Sequence, residues 1–370
     1  MLFKSRKPKD INYSSVNSEV WKKLKRNKMS MLSLFIIGFF VLIAVLGYTI
    51  TPDQTPFANQ QYLEIAAKKP FFKVDFLRIY DNKNAPKRNF FKHLAFGTKN
   101  PYSSTPIYKH WEKGDILYCE TYTGEANNNG EIIAINKNTT EFRIKQKTFF
   151  LGTDRYGRDM LSQLMIGSRV SLSVGIISII ISLLIGVTLG AIAAYYGKWI
   201  DNLIMWLINV VWSIPTILLV IAITFALGKG FWQVFVAVGL TMWVDVARVV
   251  RGQILSLKEK EFVEAGRALG FKDSRIIIKH ILPNVVGATT VITASNFATA
   301  ILQEAGLSFL GIGVQPPMPS WGTMIKENYG YIILDAPYMA IIPGVAIMIL
   351  VLAFILLGSG LREAMDVKTS

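Results

Sequence analysis

The strongest constraint in this sequence is the bunching of its apolar residues into runs of about 20: Met31 to Ile50, Val170 to Tyr196, Leu203 to Leu227, Phe231 to Val250, Val285 to Leu302 and Tyr338 to Leu357. A helix of that length crosses a hydrocarbon layer of roughly 30 Å and satisfies its own backbone groups there. The runs predict an all-α membrane protein with six spans. Average composition hides this, because 51% hydrophobic and 18% charged residues are not far from the values of soluble chains.

Orientation follows from the basic residues before the first run, where Lys4, Arg6, Lys7, Lys9, Lys22, Lys23, Lys25, Arg26 and Lys28 face only Asp10 and Glu19. Short basic flanks stay inside, so residues 1–28 are expected in the cytoplasm and 29–50 as an uncleaved first span. Residues 51–150 then form an extracytoplasmic insert, and 151–370 the remaining transmembrane domain. An even number of spans returns the C-terminus, with Arg362 and Lys368, to the cytoplasm. Within the insert, 57–96 reads as mixed helix and coil. Strands are expected at Asp115 to Thr123, Glu131 to Ile135 and Glu141 to Lys145, the last from the alternation of Phe142 and Ile144 with Arg143 and Lys145.

The formal charge of +15 would suit a nucleic-acid binder, but the basic residues are spread over loops without interleaved aromatics, so nucleic acid is not an expected partner. A single cysteine, Cys119, excludes an internal disulfide. The three histidines, His93, His110 and His280, lack metal-ligand spacing. No catalytic motif of a membrane enzyme is present, and only Asp245 and Arg248 could serve an ion-driven carrier.

Several local patterns carry expectations. Asp154, Arg155, Arg158 and Asp159 read as a salt-bridged corner leading into the second span, and Ser178, Ser182, Gly186, Gly190 and Ala194 as a small-residue stripe for close helix packing. Pro215 predicts a kink inside the third span. Asp245, Arg248 and Arg251 are expected near the cytoplasmic interface. Glu304 to Gly322, rich in proline and glycine, reads as a shaped external loop.

Between two of the runs lies a charged segment, Lys258 to Asn284. Phe262, Val263, Gly266 and Leu269 fall on one face at helical spacing, Gly270 can end that helix in a left-handed turn, and Asp273 or Ser274 can cap a second helix running to Pro283. Glu264, Ala265, Gly266, Ala268, Gly270, Leu282 and Pro283 resemble the E-A-A, three residues, G, nine residues, I-x-L-P signature of the membrane subunits of ATP-binding-cassette importers. Gly266 stands where that signature usually has Ala, and His280 where it usually has Ile. Two further stretches, GTDRYGRDMLS from Gly152 and EAGLSFLGIGVQPPMPSWG from Glu304, resemble segments of the dipeptide, oligopeptide and nickel permeases.

The resemblance implies a type I importer permease of the C-type, with six spans and a β-containing external insert longer than the family usually carries. It implies a multi-pass protein of the cytoplasmic (inner) membrane whose partners are a homologous permease subunit, two ATPase subunits, an external substrate-binding protein and the lipid bilayer. The chain lacks the G-x-x-x-x-G-K-[ST] loop, so it is not an enzyme, holds no cofactor of its own, and leaves ATP to the ATPase partners. The seven signature residues would couple it to those ATPases. Peptide ranks ahead of nickel or another chelated small solute as cargo.

Overall fold

The computed structural model describes residues 15–80, 89–124, 129–228 and 230–365. Lys4, Arg6, Lys7 and Lys9, and Lys368 at the other end, lie outside the described residues. Helices α1 (Ser15–Arg26) and α2 (Lys28–Ile50) come first, followed by an insert made of β1 (Phe72–Tyr80), α3 (Phe90–Phe96), β2 (Tyr102–Lys113), β3 (Ile116–Thr121), β4 (Ile132–Asn136) and β5 (Phe142–Phe149). Then come α4 (Met160–Tyr196), α5 (Lys198–Trp212), α6 (Thr216–Leu227), α7 (Phe231–Leu257), α8 (Glu261–Ala268), α9 (Asp273–Phe309), α10 (Trp321–Asn328) and α11 (Tyr338–Met365). Among the described residues α2, α4, α7, α9 and α11 are long and apolar enough to cross a membrane.

The third apolar run is not one kinked helix. Its two halves, α5 and α6, are bent by 93°. Proline at position 215 disfavours helical backbone at Ile214 and removes the N–H that would continue the ladder, so the chain turns and α6 starts afresh. The Glu304 to Gly322 stretch also differs from the expected loop, because α9 continues to Phe309 and α10 begins at Trp321. Glu304 is fully buried, accepting hydrogen bonds from Ser308 Oγ at 2.7 Å and Ser171 Oγ of α4 at 3.3 Å. These donors replace the water a loop carboxylate would have had.

The small-residue stripe is the contact between α4 and α7. A Cβ on Gly186 would sit 2.6 Å from Val246 Cβ and 2.7 Å from Trp243 O, and one on Gly190 would sit 2.5 Å from Ala247 O. Ser178 Oγ donates to Phe235 O of α7 at 3.1 Å. Without a hydrophobic drive between helices in lipid, such close backbone approach supplies dispersion and hydrogen bonds instead. Charges on α7 are matched to the broken pair: Arg251 makes a two-toothed bond to Asp201 of α5, both arms 2.6 Å, and Arg248 stacks 3.6 Å over Trp212 and donates to Asn209.

The insert is an antiparallel sheet of order β4-β3-β2-β1-β5. β1 runs through the stretch expected as helix and coil. Phe76 packs on one face with Tyr62 and Phe149, and the adjacent Leu77 on the other with Ile107, Leu117 and Cys119. Phe72, Val74 and Phe76 alternate with Lys73 and Asp75 as in a half-exposed strand, and the apolar set passes to the other face at Leu77, which limits that alternation to five residues.

The predicted charged corner fastens this sheet to α4. Arg158 Nε donates to Asp154 Oδ2 at 2.6 Å, and its Nη2 pairs with Glu327 of α10. Burial alone would lower the Arg158 pKa, but Asp154 and Glu327 hold it above the usual arginine range. Asp159 caps α4 through Ser162 N, while Gln163 Nε2 donates to Phe57 O at 2.9 Å. Farther along α4, Arg169 donates to the carbonyls of Ala44, Val45, Leu94 and Ala95, tying α2 and α3 to it. Removing one member of a buried ion pair strands the other. Arg158→Met should therefore destabilise the joint by about 3 kcal/mol, whereas Arg155→Met, at an exposed position, should be near neutral. Denaturant titration of the purified chain, read by exposure of the buried Cys119 thiol, checks this; equal midpoints for the two variants would remove the corner's structural role.

Candidate functional site

Lys258 to Asn284 forms a short surface helix and a turn folded back against the ends of three long helices. α8 spans Glu261–Ala268 and buries only Val263 and Gly266, against a cluster of Ala191, Tyr195, Val250, Ile254 and Ile276. The apolar face read from the sequence is therefore divided. Phe262 remains 41% exposed and Leu269 72%, with Glu264, Ala265 and Ala268 also outward. Phe262, Ala265 and Leu269 share one stripe at helical spacing, an apolar strip that this chain leaves uncovered.

Gly270 ends the helix as expected, with φ at +73°. Its N–H donates to Arg267 O at 2.9 Å and the Phe271 N–H to Gly266 O at 3.0 Å, the paired bonds of a left-handed helix stop. Open space surrounds the position a Cβ would take at Gly270, so backbone conformation alone selects glycine there. At Gly266 a Cβ would meet Ile276 Cγ1 and Phe271 Cδ2 at 3.6 Å, ordinary contact distances.

The second helix of the segment does not stop at Pro283. Asp273 opens α9 without capping it, since the preceding Lys272 is the cap residue and no side chain serves. Asp273 instead accepts a hydrogen bond from the Tyr195 hydroxyl of α4 at 2.6 Å. Ile276–Ile281 is a wide π turn in which the Leu282 N–H reaches Ile277 O. Proline has no N–H to give and its ring crowds the carbonyl four residues back, so a widened turn just before Pro283 lets the helix run on into the bilayer-length segment. Leu282 is half-buried and Pro283 exposed.

Three supporting contacts were not legible in the sequence. Lys258 Nζ donates to Ala194 O at 3.1 Å, covering the C-terminal carbonyls of α4. Arg267 lies over the Tyr195 ring at 5.5 Å. The His280 ring, at the position where the signature usually has Ile, stacks on Phe271 with centroids 5.8 Å apart and planes 14° from parallel. Basic and aromatic residues at these spacings carried no signal, because their partners lie on α4 or across the turn.

Comparison with known families matches residues 186–370 to the family described as binding-protein-dependent transport system inner membrane component, and residues 15–70 to the N-terminal TM domain of oligopeptide transport permease C. A dipeptide transport system permease protein, DppC, of Alkalihalophilus pseudofirmus is 42% identical over 365 residues, covering 98% of this chain and 93% of its own. A glutathione transport system permease protein, GsiD, of Pectobacterium atrosepticum is 43% identical over 219 residues, 59% of this chain and 72% of its own. Among solved structures, a chain of the inward-facing MetNI methionine ABC transporter covers 55% of this chain and 96% of its own at TM-score 0.46 and 21% identity.

The two glycines of the segment separate by experiment. Gly266→Ala should fold normally and be more stable by up to about 1 kcal/mol, since alanine is the better helix former and its methyl finds ordinary contacts. Gly270→Val should cost about 1–2 kcal/mol through strain in the left-handed turn. Thermal unfolding of the detergent-solubilised chain ranks them, and a Gly266→Ala protein less stable than Gly270→Val would contradict this geometry.

Proposed function

The chain belongs to the binding-protein-dependent inner-membrane permease family of ABC importers, and from that premise we propose that it is the C-type membrane subunit of a peptide importer, coupled through Glu264 to Gly270 to separate ATPase subunits. The supporting observation is the uncovered strip of Phe262, Ala265 and Leu269 on a helix clamped to the ends of α4, α7 and α9. A partner seated on that strip gains apolar burial, and Glu264 and Ala268 lie beside it to set register. Because Val263, Lys258 and Asp273 fix the helix to the spans, movement of the partner is transmitted to α4, α7 and α9 and is not absorbed in a loop. Leu282 and Pro283 serve the same coupling by keeping the segment continuous with α9.

In this reading ATP is bound only by the partner ATPases, a homologous permease encloses the path with this one, and an external binding protein delivers cargo. Coupling requires that the ATPase pair bind the inward and outward states with different free energies, and a rigid lever provides that difference. Relatives named for dipeptide and glutathione transport support a peptide cargo. Counting the bent α5 and α6 as one crossing gives six spans, with both termini in the cytoplasm and residues 51–150 outside.

Glu264→Lys should leave membrane insertion intact while weakening ATPase association or uncoupling hydrolysis from uptake. Reconstitution with the partner chains, followed by assembly, substrate-stimulated hydrolysis and peptide uptake measured together, tests the reading. Full assembly with wild-type coupling in both Glu264→Lys and Gly270→Val would remove the role from this segment.

Topology has its own test. Cys119 is fully buried and burial pushes its thiol up, so little thiolate forms at neutral pH and the residue should stay silent to a thiol reagent until the insert unfolds. In a Cys119→Ser background, Lys113→Cys at the exposed end of β2 should react with an impermeant maleimide applied from outside. Reaction only after the cytoplasmic membrane is opened would invert the topology.

A further inference from the structure

Five arginines among the described residues are buried or half-buried, and four have matched partners: Arg158, Arg169, Arg248 and Arg251 donate to carboxylates, amides or carbonyls. Arg78 of β1 differs. Its guanidinium carbon lies 4.7 Å from the Tyr102 ring centroid, and its side chain makes no hydrogen bond or ion pair among the described residues, its Nε being closed off from solvent as that of Arg248 also is. A guanidinium set over a ring keeps its terminal N–H groups free at its edge, where an anion in an adjoining cavity can meet them.

Arg78 lines a cavity of about 270 Å³ on the face of the sheet that turns toward the α4 corner, together with Tyr62, Tyr80, Tyr102, Ser104 and Lys147. Pairing places these groups together: Arg78 lies opposite Ser104 and Tyr80 opposite Tyr102 on β2, and Lys147 of β5 lies opposite Val74. The acidic group in the wall, Asp53, is held by neutral donors, accepting from Thr55 N and Thr55 Oγ1 on one oxygen and from Gln60 N on the other, and so keeps its charge with both oxygens fixed in place. Lys147 stands 3.7 Å from Asp159, which leaves Arg78 as the cation of the wall with no ion pair among the described residues. Tyr62 is 8% exposed, and burial pushes its phenol well above the usual tyrosine range, so it stays an O–H donor. The charge and the hydroxyls suit an anion, and the rings of Tyr80 and Tyr102 suit an organic body attached to it.

We propose that this cavity is a binding site for the carboxylate of a small organic solute, with Arg78 as the charge partner, Tyr62, itself hydrogen-bonded by Ser104, as the hydroxyl donor, and Tyr80 and Tyr102 against the rest of the solute. The site stands on the sheet's own groups and holds whether or not peptide is the transported cargo. A peptide C-terminus and a simple dicarboxylate present the same chemistry and can be told apart by titration.

The test is calorimetric titration of the full chain in lipid nanodiscs with alanyl-alanine, its C-terminal amide, and succinate. Saturable binding of alanyl-alanine or succinate is expected, identifying a peptide or a simple carboxylate as the source, with the amide failing to compete. R78Q should weaken binding at least roughly tenfold. Tyr62→Phe should weaken it less, and R78K should retain part of the affinity by keeping the charge without the fork. Cys119 that remains unreactive in R78Q as in the wild type reports that the sheet is intact. Binding of the amide equal to that of the free peptide, affinity unchanged in both R78Q and Tyr62→Phe, or no saturable binding of either carboxylate would overturn the site.

Discussion

The close approach of α4 and α7 at Gly186 and Gly190 is the contact on which the rest of the molecule depends. Any side chain at those positions would drive into Val246 or into the carbonyls of Trp243 and Ala247, so two glycines set the distance between the two helices. Both ends of this pair are occupied. The N-terminus of α4 carries the charged corner and the sheet bolted to it, and the C-terminal ends of α4 and α7 receive α8. Separating the pair would loosen both attachments, because Tyr195, Val250 and Ile254 contribute to one cluster with Val263.

Buried polar groups do similar work where lipid or protein excludes water. Glu304 sits among Ser171 and Ser308, Arg169 serves four carbonyls, and Asp201 takes both arms of Arg251. Each arrangement satisfies a group that would otherwise be stranded, and each joins elements distant in sequence. Trp321 belongs with them, its indole N–H donating to Leu164 O at 2.9 Å and thereby holding α10 to α4.

The apolar runs, the corner at Asp154 to Asp159, the packing stripe and the Gly270 turn were legible because each is a local pattern with one physical solution. β1 carried a readable signal in Phe72, Val74 and Phe76 alternating with Lys73 and Asp75, but the shift of the buried set to the opposite face at Leu77 cut it to five residues within a stretch read as helix and coil. Proline at 215 announced a disruption, but its size, 93°, is set by how α5 and α6 each pack on α7, which no local pattern encodes. In α8, periodicity grouped Phe262 and Leu269 with Val263, while only Val263 finds a core, since three helix ends offer room for one edge of the strip. The signature residues were found by likeness. Their supports, Tyr195 and Lys258, needed the fold.

α4 runs unbroken for 37 residues, about 55 Å at the rise of an α-helix and well beyond the hydrocarbon thickness. Near one end, Gln163 donates to Phe57 O of the insert and Asp159 stands 3.7 Å from Lys147 of β5; near the other, Tyr195 bonds Asp273 beside α8. No proline interrupts it, and its helical span is continuous from Met160 to Tyr196. α5 and α6 are the reverse, meeting at a right-angled break with much of their surface uncovered. The molecule thus places one long helix, in contact with both the insert and the Lys258 to Asn284 segment, beside a broken pair bound to α7 through Arg251. α4 joins the surroundings of α8 to the charged corner through one continuous helix, while α5 and α6 meet at Pro215 as two separate helices.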